Sequence, residues 1–231
     1  MTHPAREEML SKIKAALNAQ AHQKISSPGV YTKAPADEIR RRCDEKREQL
    51  IDQFKAELTR IGGHFFRAAN AAAASEYIER LAVAAGAKRV IGWDAPLVEK
   101  IAIASSLEKF GAEFLLDRAG KIDFVRTAID SDIGMTTVDY ALADTGTLVL
   151  ISGQGRARSA SLVPPVHVAI VEARQIIAGL DDLFPLLAEN DRELASAITF
   201  ITGPSRTADI ELTLVVGVHG PQQLHVILLT E

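Results

Sequence analysis

The sequence is poor in sulfur and in rings. Its 231 residues include one cysteine, Cys43, and one tryptophan, and aromatic residues make up 5%. A lone thiol can form no disulfide within the chain and cannot supply the thiolates of an iron–sulfur cluster. Cys43 stands in Arg-Arg-Arg-Cys-Asp-Glu-Lys. Cations there favour a thiolate, but no base sits beside it, and a helix residue without chemistry is the better reading. Long apolar runs are missing too. Stretches such as 148–151 and 226–229 fall far below the ~20 residues that cross a bilayer. The amino-terminal stretch mixes charges with apolar residues and lacks the apolar core and cleavage site of a secretory signal. A soluble, cytoplasmic protein without membrane association is expected.

No sign of charge dominates. The net charge is −4, with 12 Lys+Arg against 9 Asp+Glu over 1–60 and 14 against 21 over 61–231. The basic residues at 40–42 are interleaved with Asp37, Glu38, Asp44 and Glu45, which describes a solvated helix face. With little aromatic surface to stack on bases, nucleic acid is not an expected partner. There is no HxxH or HxH spacing for a metal, no P-loop and no G-x-S-x-G elbow. No metal site and no resident cofactor are expected.

What is present is ordinary globular composition, 47% hydrophobic and 24% charged. Met9, Leu10, Ile13 and Leu17 recur at helical spacing, and a second helix is expected over about 38–60. Residues 1–60 thus read as a helical extension and 61–231 as one α/β domain. Strands near 64–66, 89–92 and 112–116 alternate with helices over 71–85 and 96–109. Further strands are expected over 138–143, 147–152, 166–172, 199–201, 212–218 and 225–229, with helices over 174–187 and 190–197. The fold class is α/β, a mixed sheet with flanking helices.

Three polar, glycine-bearing segments interrupt apolar runs, which is where α/β folds place ligands. Asp144-Thr145-Gly146-Thr147 can aim N–H groups and hydroxyls at one point, though a tight hairpin turn needs the same residues. In 152–159 the sequence Gly153-Gln154-Gly155 begins like a dinucleotide fingerprint, but Arg158 takes the third glycine position and Pro164-Pro165 leave no room for a helix. Arg156 and Arg158 instead suit a carboxylate or phosphate, and a solvated loop accounts for them equally well. In 202–211, Gly203-Pro204 shape a turn, and Ser205 or Thr207 can cap a short helix whose start, with Arg206, favours an anion, though a capped turn with surface acids needs the same residues. Asp144, Asp209, Glu211 and His219 are the candidates for a general base.

These segments resemble a known family. Residues 132–150, Pro164-Pro165-Val166-His167, Gly203-Pro204-Ser205-Arg206-Thr207-Ala208-Asp209-Ile210-Glu211 and Gly217-Val218-His219-Gly220-Pro221 are similar to the lactate-utilisation (LUD) domain, and within it to the lactate utilization protein C (YkgG) group. The resemblance covers about 60–231. It implies a fold like those of glucosamine-6-phosphate deaminase, ribose-5-phosphate isomerase and CoA transferases (NagB/RpiA/CoA transferase-like). It also implies a part in oxidising L-lactate to pyruvate beside iron–sulfur partner proteins. The acid before Thr145-Gly146-Thr147 is often Glu in that family and is the shorter Asp144 here. A subunit that binds a small anion or assists assembly, with the redox groups on its partners, is the first expectation. A stand-alone isomerase or acyl/CoA-transferase-type enzyme, or a ligand-sensing module, is the alternative.

Overall fold

In the computed structural model, residues 8–12, 34–118, 123–189, 195–208 and 214–230 are described. The chain divides into two compact units, Met1–Lys33 and Ala34–Glu231. In the first, residues 8–12 are helical (α1), and Lys12 bonds Glu8 across one turn at 2.7 Å.

The second unit opens with α2 (Ala36–Glu45) and α3 (Arg47–Arg60). Leu50, Ile51, Phe54 and Leu58 fall on one stripe of α3, and all four are buried. Then come β1 (His64–Ala68), α4 (Ala71–Ala85), β2 (Arg89–Gly92), α5 (Pro96–Lys100), α6 (Ala104–Lys109), β3 (Glu113–Leu116), α7 (Phe124–Ile129) and β4 (Ile133–Thr137). The hairpin β5 (Tyr140–Leu142) and β6 (Thr147–Ile151) leads through α8 (Ser159–Leu162) to β7 (Val166–Glu172). A 3₁₀ turn, Ala173–Gln175, precedes β8 (Ile176–Ile177), α9 (Leu180–Glu189), β9 (Ile198–Ile201), the hairpin β10 (Arg206–Ala208) and β11 (Leu214–Val216), and β12 (Gln223–Leu229).

Six strands form a parallel sheet in the order β1-β12-β7-β4-β2-β3. Side chains alternate across it. Val166, Val168 and Ile170 join Ile78 and Leu107 in one core, while Ala169 and Val171 join Phe54, Leu58 and Leu148 in another. Apolar residues on both faces are what a parallel sheet covered on both sides requires. The second core is closed by a four-stranded sheet, β8-β5-β6-β9, and by α2, α3 and α9. Arg42 of α2 bonds the buried Asp182 of α9, which fastens the two helices. Among the described residues no helix is long and apolar enough to cross a membrane.

The mixed character read from the sequence is divided between sheets: the six central strands are all parallel, and the antiparallel strand pairs among the described residues are β5–β6, β6–β9 and β10–β11. Several elements differ from expectation. The central strand β4 and helix α7 carry no clean period in the sequence. A short helix, α8, does open before Pro164. The helix expected over 174–187 begins only at Leu180, because Gln175 closes a capping box with Glu172 and turns the chain into β8. Of the helix expected over 190–197, residues 195–197 are not helical, and 190–194 lie outside the described residues.

Candidate functional site

After β2 the chain moves outward to β3 and then crosses back to β4, on the other side of β2. Neighbouring strands whose continuations leave in opposite directions open a crevice beyond their carboxyl ends, and open α/β sheets bind ligands there. Here that crevice is an open cleft of about 600 Å³ between the segment 94–100, Asp139 and the turn after β7. Its roof is the glycine–arginine loop after β6. Asp94 N–H donates to Gly155 O (2.9 Å), Trp93 Nε1 to Ala157 O (2.9 Å) and Ala157 N–H to Asp117 Oδ2 (2.7 Å). The Arg156 guanidinium stacks over the buried Trp93 ring at 4.4 Å and donates to both oxygens of Asp139, at 2.6 and 3.2 Å. Asp139 also accepts from Ile151 N–H at 2.7 Å. The loop is therefore tied to the ends of β2, β3 and β4 at once.

Lys100, Arg156 and Arg174 bring cations to the cleft, and Asp94, Asp139 and Glu172 bring carboxylates. Arg174 bonds Glu172 through two nitrogens, at 2.6 and 3.0 Å. A second cleft of about 430 Å³ adjoins the first under α2, and Asp139, Arg174 and Gln175 line both. Cys43 lies in its wall, with burial and then Asp182 pushing its thiol pKa up. That opposes the activated thiolate its basic sequence neighbours would favour.

The LUD domain family model matches residues 51–229. The chain belongs to the LUD domain family. It is 33% identical to lactate utilization protein C of Halalkalibacterium halodurans over 194 residues, 83% of each chain. It is 28% identical to the protein of that name from Anoxybacillus flavithermus over 225 residues, 97% of this chain and 99% of the other. A crystal structure of a DUF162 family protein from Deinococcus radiodurans shares its fold, with a TM-score of 0.54 at 20% identity, covering 79% of this chain and 98% of that one.

In this LUD domain the residues singled out from the sequence do not converge on one point. Arg156 lies in the cleft, whereas Arg158 is exposed at the start of α8. The turn of Thr145, Gly146 and Thr147 packs on α3. Gly146 has φ 66 and sits so close to the Leu58 backbone that no Cβ fits, and Thr147 Oγ1 bonds Thr202 Oγ1 at 2.9 Å. Asp144 turns its carboxylate to the Thr145 hydroxyl and against Gly179. Gly203 lies against Ile61, and Arg206 donates to Ile61 O at 2.6 Å, where α3 ends. Ser205 N–H donates to Pro221 O (2.8 Å) and Ser205 O accepts from Gly217 N–H (2.9 Å). Arg206 and Thr207 belong to strand β10, so the capped helix expected after Ser205 does not form. His219 is exposed beside a pocket of about 310 Å³ at the amino-terminal side of β7 and β12. Asp209 and Glu211 lie outside the described residues. Most of these motifs build the junction of α3, the β5–β6 turn and the β10–β11 hairpin.

Lys100, Asp139 and Arg174 were not singled out from the sequence. Each lies just beyond the apolar core of its segment, a signal that becomes specific only once the strands are known to be parallel and their order is known. Two histidines at the opposite end of the sheet are structural. His167 shares a 2.9 Å hydrogen bond with Thr136, and burial, with His225 nearby, lowers its pKa to about 3. His225 bonds the Tyr77 hydroxyl at 2.8 Å and stacks on His64 at 4.5 Å; burial, then His64, lowers its pKa to about 4. Among the described residues no group of three or more His, Cys, Asp or Glu is placed to hold a metal ion.

Proposed function

We propose that this chain is a component of an L-lactate utilisation system, acting beside iron–sulfur proteins that take the electrons, and that its own part is to bind a small carboxylate in the switch-point cleft. The names of its relatives support the process. The observation that carries the molecular part is the cleft itself, with charged side chains from four segments gathered at the carboxyl ends of β2, β4 and β7. Oxidising a hydroxy acid removes two electrons and needs an acceptor. One cysteine cannot ligate a cluster unaided, which fits a subunit that relies on partners for electron transfer.

Two experiments test this. Deleting the gene is expected to abolish growth on L-lactate and leave growth on glucose intact, with complementation restoring it; normal growth of the deletion strain on lactate would reject the proposal. Titration calorimetry of the purified chain with L-lactate and pyruvate is expected to show binding that Lys100→Met weakens. Binding untouched by that change would remove the cleft from the reading.

A further inference from the structure

We infer that the acids bound in the switch-point cleft are 2-hydroxy acids, and that Asp94 selects them by accepting a hydrogen bond from the hydroxyl while Lys100 and Arg174 take the carboxylate. This rests on reading that cleft as a carboxylate site and adds what the ligand must carry beside its carboxylate.

The carboxylates of the cleft are not equivalent. Asp139 is committed to the fold, with Arg156 on both oxygens and the Ile151 N–H on one of them. Glu172 accepts from Arg174 and from the Gln175 N–H in its capping box. Asp94 differs. Its side chain is 39% exposed and accepts no hydrogen bond among the described residues. Arg118 stands 3.7 Å from it and donates instead to Glu99 at 3.1 Å. The charge of Asp94 is thus offset while its lone pairs stay unused. A plain anion would meet only repulsion there. A ligand that brings a carboxylate for the cations and a neutral donor for Asp94 leaves no group opposed.

The cations divide in the same way. Arg156 is held by Asp139 and stacked on Trp93. Arg174 bonds only Glu172, two residues before it, with its side chain 79% exposed, and Lys100 makes no ion pair or side-chain hydrogen bond among the described residues. Strand register gathers these free groups. Gly92 of β2 is level with Met135 of β4, and Thr137 of β4 with Ile170 of β7. Asp94 and Glu172 each lie two residues further on, on opposite sides of the end of β4. Adjacent strands are ~4.8 Å apart, so the chains that carry Asp94 and Arg174 leave the sheet about 10 Å from each other. Thr137 lines the cleft between them, and Lys100 comes from α5, the helix after Asp94. The long Arg174 and Lys100 side chains can therefore hold a carboxylate whose neighbouring carbon faces Asp94. An oxo acid in that place sets its carbonyl oxygen against the Asp94 carboxylate, acceptor against acceptor, so the cleft keeps the hydroxy acid in preference to the product of its oxidation.

Calorimetry on the whole chain with L-lactate, propionate and pyruvate, which differ in the group on carbon 2, tests the inference. L-Lactate is expected to bind about tenfold or more tightly than either of the others, the range of a hydrogen bond to a charged acceptor. Asp94→Ala is expected to weaken lactate about tenfold while propionate and pyruvate hold or gain affinity, since the carboxylate that opposed them is gone. Melting curves check that the variant folds, and a merely structural role for Asp94 would weaken all three acids together. Equal affinities of the unaltered chain for lactate and propionate, a lactate preference that survives Asp94→Ala, or a uniform loss in that variant overturns the inference while leaving the cleft as a carboxylate site that Lys100→Met weakens. Absence of binding by any of the acids overturns both.

Discussion

Asp139 and Arg156 meet with side chains only 13% and 23% exposed, so neither is readily solvated if the other is lost. Asp139→Asn is expected to destabilise the protein by about 2–3 kcal/mol in urea unfolding, because a half-buried guanidinium loses its counter-charge. Arg156→Lys should do nearly as much harm, since an ammonium can neither fork onto both oxygens nor stack flat on Trp93. Arg206 belongs to the other kind of residue. The sequence suggested an anion ligand, but its guanidinium instead satisfies a carbonyl at the end of α3. Arg206→Ala is therefore expected to cost about 0.5–1 kcal/mol of stability and to leave lactate affinity unchanged, as parallel melting and calorimetry would show. The difference explains what was legible at this scale. Arg156 stood out as an arginine on a glycine loop after a strand, but the carboxylate it engages, Asp139, could be named only once the strands were placed. The partner of Arg206 is a backbone oxygen 145 residues away, and nothing local announces it.

Among the elements, α4, β7 and β12 fall close to where period and punctuation put them, whereas the single helix expected over 38–60 is broken at Lys46 into α2 and α3. The central strand β4 could not be read in this way. Its sequence, Ile-Gly-Met-Thr-Thr, shows no alternation, because it is buried on both faces and because Gly134 makes room for a crossing backbone. A Cβ at Gly134 would meet the carbonyl of Ala160 in α8, a group that cannot swing aside as a side-chain tip would. Gly134→Ala is accordingly expected to lower stability by about 3 kcal/mol in thermal unfolding. Gly153→Ala, with no atom within 4 Å of the added methyl, should be close to neutral. The helix α8 was hidden for a related reason, since its place is set by that crossing and not by its own four residues. The candidate cleft shares this origin: its charged residues are scattered along the chain and meet only through the strand order.

Taken as a whole, the molecule keeps two imidazoles uncharged at the end of the central sheet where β7 and β12 begin. The pKa values of His167 and His225 fall to about 3 and about 4, below the ordinary value of 6.5, so between pH 6.5 and about pH 3 the unfolded chain binds more protons than the folded one. The stability these two groups contribute is then fully present above pH 6.5 and declines as the pH falls through that window. Urea midpoints measured from pH 7 to pH 4 should follow that slope, and His225→Gln, which keeps a polar partner for Tyr77, should flatten it. A flat profile for the unaltered protein would contradict this account. The order of the central sheet has a consequence of another kind. Strand β12 is inserted between β1 and β7, so the earliest strand of the sheet has no neighbour until residues 223–229 have left the ribosome. During synthesis two unpaired strand edges stand open for most of the time the chain is being made, and this protein is expected to depend on chaperone protection at the tunnel exit more than a sheet assembled in sequence order would.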